Sequence, residues 1–228
     1  MSSWSAWYGR HRFAGLLGLL VLLIIGTPVL IDLNLPVWWL DGLMALLILA
    51  AVCSLCFERH ERWFALAVGI PSILITAITN TLTAWWGSKI LLGGRVCQIV
   101  FLFGAALLII RSLFHQRKFT FDAVFGAICG YLFVGLGWSV LFLLAELFEP
   151  GSFQMNQAVL PSHSADRSLA LEMTYFSFVT LTTVGYGDIL PMSPVTRTLA
   201  VTEAITGQFY LAIVVAGLVN TMATARKD

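Results

Sequence analysis

Six apolar stretches dominate this sequence, and each has about the length that an α-helix needs to cross a lipid bilayer. Spanning the hydrocarbon core takes about 20 predominantly apolar residues. The six stretches are residues 14–31, 37–57, 63–86, 90–114, 121–147 and 195–222. A shorter amphipathic segment, residues 169–181, lies between the last two. The sequence therefore predicts an all-α membrane protein with six transmembrane helices and one re-entrant segment.

The composition agrees with burial of nearly the whole chain in a bilayer. Of the 228 residues, 59% are hydrophobic and 11% are charged, whereas soluble domains carry roughly 25% charged residues. A formal net charge of +1 provides no basic surface for nucleic acid. We expect membrane lipid around the protein, no nucleic-acid partner and, since six residues follow Met222, no fused regulatory domain.

The distribution of basic residues predicts the orientation, because cytoplasmic loops of membrane proteins are enriched in Lys and Arg. With the N-terminus inside, the cytoplasmic ends carry Arg10, Arg12, Arg59, Arg62, Arg111, Arg117, Lys118, Arg226 and Lys227. The outer side then carries only Lys89, Arg167 and Arg197. We therefore expect a multi-pass protein of the cell membrane with both termini in the cytoplasm. Residues 1–13 suit a short helix on the inner surface, with a frayed terminus as the alternative.

The loop between the re-entrant segment and the last apolar stretch has the pattern of an ion-binding backbone. It consists of Thr182, Thr183, Val184, Gly185, Tyr186, Gly187 and Asp188. A dehydrated cation needs a ring of oxygens in place of its water shell, and glycine at alternate positions permits the positive φ angles that align consecutive carbonyls. The carbonyls that can then face one axis are those of Thr183, Val184, Gly185 and Tyr186, with the Thr183 hydroxyl at the inner end.

This loop resembles the selectivity filter of the potassium-channel pore family, in which four subunits contribute rings of backbone carbonyls. The resemblance implies a homotetrameric, potassium-selective channel with no enzymatic activity and no cofactor besides the permeant potassium ions. Thr183, Val184, Gly185 and Tyr186 would bind those ions. We call residues 182–188 the filter segment. Two alternatives are a non-conducting sensor or regulatory subunit and a potassium transporter, although such transporters usually carry four degenerate loops on one chain.

The same resemblance assigns residues 121–228 to a pore domain. Its parts are an outer helix (121–147), an outer loop (148–168), a pore helix (169–181), the filter segment and an inner helix (195–222). The run from Glu203 to Ala212 is similar to the inner helix of small prokaryotic members. Gly207 stands at the position of a family hinge, and the residues expected on the cavity wall are Tyr210, Val214 and Gly217.

Several side chains are expected to support the filter segment from behind, again by resemblance. Tyr175 and Phe176 match an aromatic pair of the pore helix, and similar channels place such an aromatic donor thirteen residues before the aspartate, here Asp188. Thr182 and Gly187 complete the filter segment itself. Glu146 resembles a family glutamate that braces the loop after the filter, with an exposed interfacial acid as the alternative.

The first four apolar stretches are joined by short links and are predicted to form a four-helix bundle, residues 14–114. The bundle occupies the position of a voltage sensor, but Arg95 and Arg111 are sixteen residues apart in its fourth helix. One elementary charge contributes about 2.3 kcal/mol per 100 mV, so steep voltage gating needs several charges. We therefore expect a channel that is not strongly voltage-gated. Residues 115–120 suit an inner interfacial linker, with an ordinary loop as the alternative.

Three polar residues of the bundle, Asp41, Asn80 and Arg95, are predicted to lie at a common depth near the outer surface. Charged groups within a membrane span tend to face the bundle interior and to pair. We therefore expect an Asp41–Arg95 ion pair that makes Arg95 a structural charge. In the alternative, Arg95 extends outward and Asp41 lies among the lipid headgroups.

Overall fold

The computed structural model describes residues 12–32, 50–51, 87–115, 120–155 and 165–219. Five long helices make up most of these residues: α1 (Arg12–Asp32), α2 (Gly87–His115), α3 (Phe121–Phe148), α4 (Ala165–Leu181) and α5 (Pro194–Tyr210). Two short strands, β1 (Phe153–Met155) and β2 (Ile189–Pro191), flank α4 and the filter segment. The predicted spans 37–57 and 63–86 lie almost entirely outside the described residues.

Three helical stretches in the described part of the chain are long and apolar enough to cross a membrane. They are Leu92–Phe114, Phe121–Phe148 and Pro194–Val219. Helix α1 adds a shorter apolar stretch, Phe13–Val29, and α4 adds Leu169–Leu181. The mostly helical, membrane-embedded character predicted from the sequence is thereby confirmed, while the count of six spans stays a prediction.

Helix α3 is the centre around which the other helices pack, and it contacts α1, α2, α4 and α5. Four glycines of α3 allow this close packing, because each is contacted by an aromatic side chain from a different helix. A Cβ built on these glycines would lie 2.5–3.0 Å from the ring or its hydroxyl. The pairs are Gly126 with Phe13 of α1, Gly130 with Tyr210 of α5, Gly135 with Phe178 of α4, and Gly137 with Phe103 of α2. These four glycines therefore allow four helices to approach α3 closely.

Side chains at the helix ends define where α3 and α5 begin. The Thr120 side chain accepts a hydrogen bond from the Ala123 amide and caps α3, and Ser193 does the same for α5 through Thr196. Such caps satisfy amide groups that have no partner within the helix. Pro194 follows Ser193 at the first helical position, where its missing N–H is not needed.

Strands β1 and β2 form an antiparallel pair with Phe153 opposite Pro191 and Met155 opposite Ile189. The pair joins the segment after α3 to the segment after the filter. It is a departure from the all-α prediction, and three-residue strands are too short to show a period in the sequence. The inner helix also departs from a regular α-helix, since α5 continues directly into a π-helical turn, Leu211–Val215.

Candidate functional site

The backbone of the filter segment alternates between left-handed and ordinary conformations. The φ angle is 58° at Thr183, 59° at Gly185 and 78° at Gly187. Glycine adopts such angles readily, but a β-branched residue at positive φ is a rare and strained conformation. Such strain costs on the order of 1–3 kcal/mol and is typical of ligand-binding segments. The sequence indicated the two glycines and missed Thr183, although its position two residues before Gly185 continues the same alternation.

Hydrogen bonds from the filter amides show which way the carbonyls point. The Val184 and Gly185 amides donate to the Val179 carbonyl of α4, at 2.9 and 3.4 Å. In a trans peptide the C=O lies opposite the N–H of the next residue. The carbonyls of Thr183 and Val184 therefore point away from α4.

The filter segment lies on the surface of the subunit between two buried anchors. Residues 182–188 are all exposed, whereas Leu181 before them and Ile189 after them are buried. Val184 and Tyr186 are 52% and 71% exposed. In the single subunit the filter segment is thus open to its surroundings, and no part of it is buried against the rest of the described residues.

Tyr175 and Asp188 hold the outer end of the filter segment. The Tyr175 hydroxyl donates to Asp188 Oδ2 at 2.6 Å, which is the hydrogen bond expected from the thirteen-residue spacing. This hydrogen bond, followed by burial, raises the pKa of Tyr175 to about 12, so the hydroxyl keeps its proton in neutral solution. The Tyr175 ring also stacks on the Tyr186 ring, with centroids 6.4 Å apart.

Phe176 faces the opposite side of α4 and is buried. Its ring makes edge contacts with Phe142 of α3 and Phe153 of β1, with centroids 5.0 and 5.2 Å apart. This aromatic cluster fixes α4 against α3 and the strand pair. The two neighbouring aromatic residues thus have different tasks, since Tyr175 contacts the filter segment and Phe176 contacts the core.

Glu146 braces the segment that follows α3, so its direct partners differ from those expected. Its carboxylate accepts hydrogen bonds from the Gly151 amide, the Ser152 hydroxyl and the Phe153 amide, all at 2.8–2.9 Å. The prediction that it braces the loop after the filter is wrong in this respect. The connection to that loop is indirect, because the strand that begins at Phe153 pairs with β2.

The inner end of the filter segment is held by two side-chain hydrogen bonds and by one close helix contact. The Thr182 hydroxyl donates to the Phe178 carbonyl at 2.6 Å, and Tyr131 of α3 donates to the Leu181 carbonyl at 3.2 Å. A Cβ built on Gly207 would clash with that same Leu181 carbonyl. Gly207 lies within a regular part of α5, so the structure gives it a packing role, and its role as a hinge stays a prediction.

Gln208 lies beside the Thr183 hydroxyl at the inner end of the filter segment, and sequence reasoning missed it. Its Nε2 lies 3.4 Å from Thr183 Oγ1, and both side chains are exposed. No pattern in the sequence indicates this contact, because Gln208 and Thr183 are 25 residues apart and only the packing of α5 against α4 brings them together.

The residues predicted for the cavity wall face the interior of the subunit, and this prediction is wrong. Tyr210 is buried and donates to the Ala127 carbonyl of α3 at 2.6 Å. Val214 is buried as well, and a Cβ on Gly217 would lie 2.9 Å from the Phe114 ring of α2. The apolar pattern of the inner helix does not tell a cavity from a neighbouring helix, and only the contacts decide between them.

Of the three polar residues predicted at a common depth in the bundle, Arg95 lies on α2, and its Nη1 donates to Gln98 Oε1 at 3.1 Å. Asp41 and Asn80 lie outside the described residues. The Asp41–Arg95 ion pair therefore stays a prediction.

Comparison with known proteins places this site within a described family. The sequence profile described as "Ion channel" matches residues 152–224, from the start of the strand pair through the inner helix. The chain is 30% identical over 100 residues to Protein LctB of Bacillus caldotenax, which covers 43% of this chain and 72% of that protein. It is 42% identical over 50 residues to Two-pore potassium channel 5 of Arabidopsis thaliana, which covers 22% of this chain and only 12% of the plant protein. No solved structure matches the chain.

Proposed function

We propose that this chain, which belongs to the ion channel family, forms a potassium-selective channel in which four copies surround one conduction path. The observation that carries the proposal is the alternation of positive φ angles at Thr183, Gly185 and Gly187, together with amides that are turned toward the pore helix. Both features leave carbonyl oxygens directed away from the pore helix. Rings of such oxygens replace the water shell of a dehydrated cation.

Several copies are needed because one subunit supplies only one side of each ring, and the number four is that of the potassium-channel filter, which the filter segment resembles. The exposure of Val184 and Tyr186 supports contact with further copies, since large apolar side chains that are exposed together mark interaction surfaces. Closed cyclic symmetry would bring equivalent carbonyls around one axis. The similarity to a plant potassium channel over 50 residues supports potassium as the permeant ion.

Conduction through this arrangement would be passive. Consecutive carbonyl rings create adjacent sites, and an ion leaves one site when the next ion enters the row. The alternating backbone supplies such sites at Thr183, Val184, Gly185 and Tyr186. No chemical step is needed, and the driving force is the gradient across the membrane.

The test uses the purified full chain in liposomes and planar bilayers. We expect light scattering to give the mass of a tetramer, and the reversal potential to follow the potassium gradient when sodium is on the opposite side. A reversal potential that follows sodium as closely as potassium would contradict selectivity. A folded tetramer that passes neither ion would instead favour a non-conducting regulatory subunit.

A further inference from the structure

Glu203, at the centre of the inner helix, is the one acidic side chain in the described part of the chain that is fully buried, with 0% of its surface exposed. Its Oε1 lies 2.5 Å from the hydroxyl of Ser177 on the pore helix, which is also fully buried. The same hydroxyl lies 2.7 Å from the Gly135 carbonyl of the outer helix. One row of three polar groups thus joins all three helices of the pore domain.

The number of hydrogens in this row decides the state of the carboxyl group. A serine hydroxyl has one hydrogen to donate, and a backbone carbonyl can only accept. The short contact between Ser177 and Gly135 therefore uses the serine hydrogen. The hydrogen in the contact between Ser177 and Glu203 must then come from the carboxyl group. An ionised Glu203 would leave one of the two short contacts as a pair of oxygens with no hydrogen between them.

The charges around Glu203 lead to the same conclusion. Among the described residues, no group forms a hydrogen bond with its second oxygen, Oε2. On α3, the titratable side chain close enough to interact with Glu203 is that of Tyr131. Its hydroxyl donates a hydrogen bond to the Leu181 carbonyl. On the pore helix, Glu172 and Tyr175 interact with Asp188 instead. A buried carboxylate without a cationic partner is costly, and such groups are usually neutral.

We propose that Glu203 is a neutral carboxylic acid that acts as a positioning residue for conduction. It donates to Ser177, which donates to Gly135, and the row holds the pore helix at a set position between the inner and outer helices. The filter segment follows Ser177 by five residues, so a shift of the pore helix moves the filter carbonyls. The proposal rests on the proposed channel function and adds a named residue to it.

The protonation state is tested without any measurement of conduction. Infrared difference spectra of the wild-type tetramer and Glu203→Gln in liposomes at neutral pH should contain the carbonyl stretch of a protonated carboxylic acid. The band should be lost from the wild type at alkaline pH. A difference spectrum with only carboxylate bands at neutral pH would overturn the proposal.

The positioning role is tested by potassium flux into liposomes. Glu203→Gln keeps a donor toward Ser177 and should retain flux within about twofold of the wild type. Glu203→Met has a similar shape but no donor, and it should lose about tenfold in flux, which corresponds to about 1.4 kcal/mol and to the loss of one buried hydrogen bond. Equal flux in Glu203→Met and the wild type would contradict the role.

A pair of serine variants provides the matched control. Ser177→Ala breaks the row and should reduce flux as Glu203→Met does. Ser139→Ala also removes a buried hydroxyl, but this hydroxyl bonds to Leu136 of its own helix, so flux should be unchanged. Equal losses in both serine variants would show a general effect of packing and would overturn the proposal.

The pH dependence of flux separates positioning from stability alone. Ionisation at alkaline pH removes the carboxyl donor, so wild-type flux should fall as the pH rises, whereas Glu203→Gln should show no such fall. Identical pH profiles would contradict the proposal. If the wild type passes no potassium at any pH, the proposed channel function is wrong. The infrared band then still decides whether Glu203 is protonated. The thermal stability of Glu203→Met, compared with that of Glu203→Gln, still decides whether its hydrogen bond to Ser177 holds the helices together.

Discussion

The filter segment and the helices behind it both depend on glycine, but the surroundings of the glycines differ. In the filter segment, Gly185 and Gly187 have positive φ, and a Cβ built on either meets no atom within 4 Å in the part of the chain that the structure describes. In the helices, Gly135 and Gly207 lie in regular α-helix, and a built Cβ meets the Phe178 ring at 2.6 Å or clashes with the Leu181 carbonyl.

The comparison shows that glycine meets two different structural requirements, which cannot be told apart in the sequence. A filter glycine is needed for a backbone angle that places a carbonyl, so its replacement should affect ion passage more than folding. A helix glycine is needed for the approach of another helix, so its replacement should affect packing first. Thr183 shows that the first requirement is met even without glycine, at a cost in strain.

The largest effect is expected from Gly185→Ala. A side chain at φ of 59° is disfavoured by about 1–2 kcal/mol, and relief of that strain turns a carbonyl away from the axis. We expect potassium flux to be abolished while the tetramer still assembles, as measured by liposome flux and by light scattering.

Gly151→Ala is the matched control for this substitution. Gly151 has φ of 88°, and a Cβ built on it also meets none of the described residues within 4 Å, but it lies in the turn after α3. Its replacement carries a similar strain and leaves the filter carbonyls in place, so flux should persist. Equal loss of flux in both variants would show that strain alone, and not carbonyl placement, stops conduction.

The next largest effect is expected from Gly207→Ala, and it should appear in stability. The added methyl group would press on the Leu181 carbonyl, where overpacking typically costs about 1–3 kcal/mol. At roughly 2–4 °C per kcal/mol for a chain of this size, the Tm of the purified tetramer should fall by several degrees.

Gly93→Ala tests whether this loss comes from close approach. Gly93 lies in α2, and a Cβ built there meets no atom of the described residues within 4 Å. Alanine is favoured over glycine inside a helix by up to about 1 kcal/mol, so the Tm should stay constant or rise. A lower Tm for Gly93→Ala would mean that helix glycines matter here for some reason other than space.

The sequence predicted those parts of the fold that long patterns encode. Helix α3 and the filter segment follow from an apolar run and from a specific motif. The strand pair was missed because three residues carry no period, and Tyr210 and Val214 were misplaced because an apolar inner helix has a similar pattern toward a cavity and toward a neighbour. Glu203 and Ser177 are 26 residues apart, and only the packed helices bring them together.

A smaller effect is expected where the filter segment is held by a side chain instead of by its backbone. Tyr175→Phe removes the donor to Asp188 but keeps the ring that stacks on Tyr186. The filter should still select potassium, and its inactivation during sustained recording should become severalfold faster. Unchanged inactivation in single-channel records would exclude a supporting role for this hydrogen bond.

The smallest effect is expected from Gln208→Ala. This variant tests the side-chain contact at the inner end of the filter separately from the neighbouring contact of Gly207 with the Leu181 carbonyl. The bond from Gln208 to Thr183 is long at 3.4 Å and exposed, and hydrogen bonds weaken toward this distance. Unlike Gly207→Ala, the variant leaves the contact with Leu181 intact, so the Tm should be unchanged. Single-channel conductance should change by less than about twofold, because Thr183 keeps its backbone conformation and its hydroxyl loses only a weak donor. Bilayer recordings with equal potassium on both sides measure this change. A loss of conductance as large as that of Gly185→Ala would show that the Gln208 side chain, and not only the alternating backbone, sets the geometry of the innermost ion site.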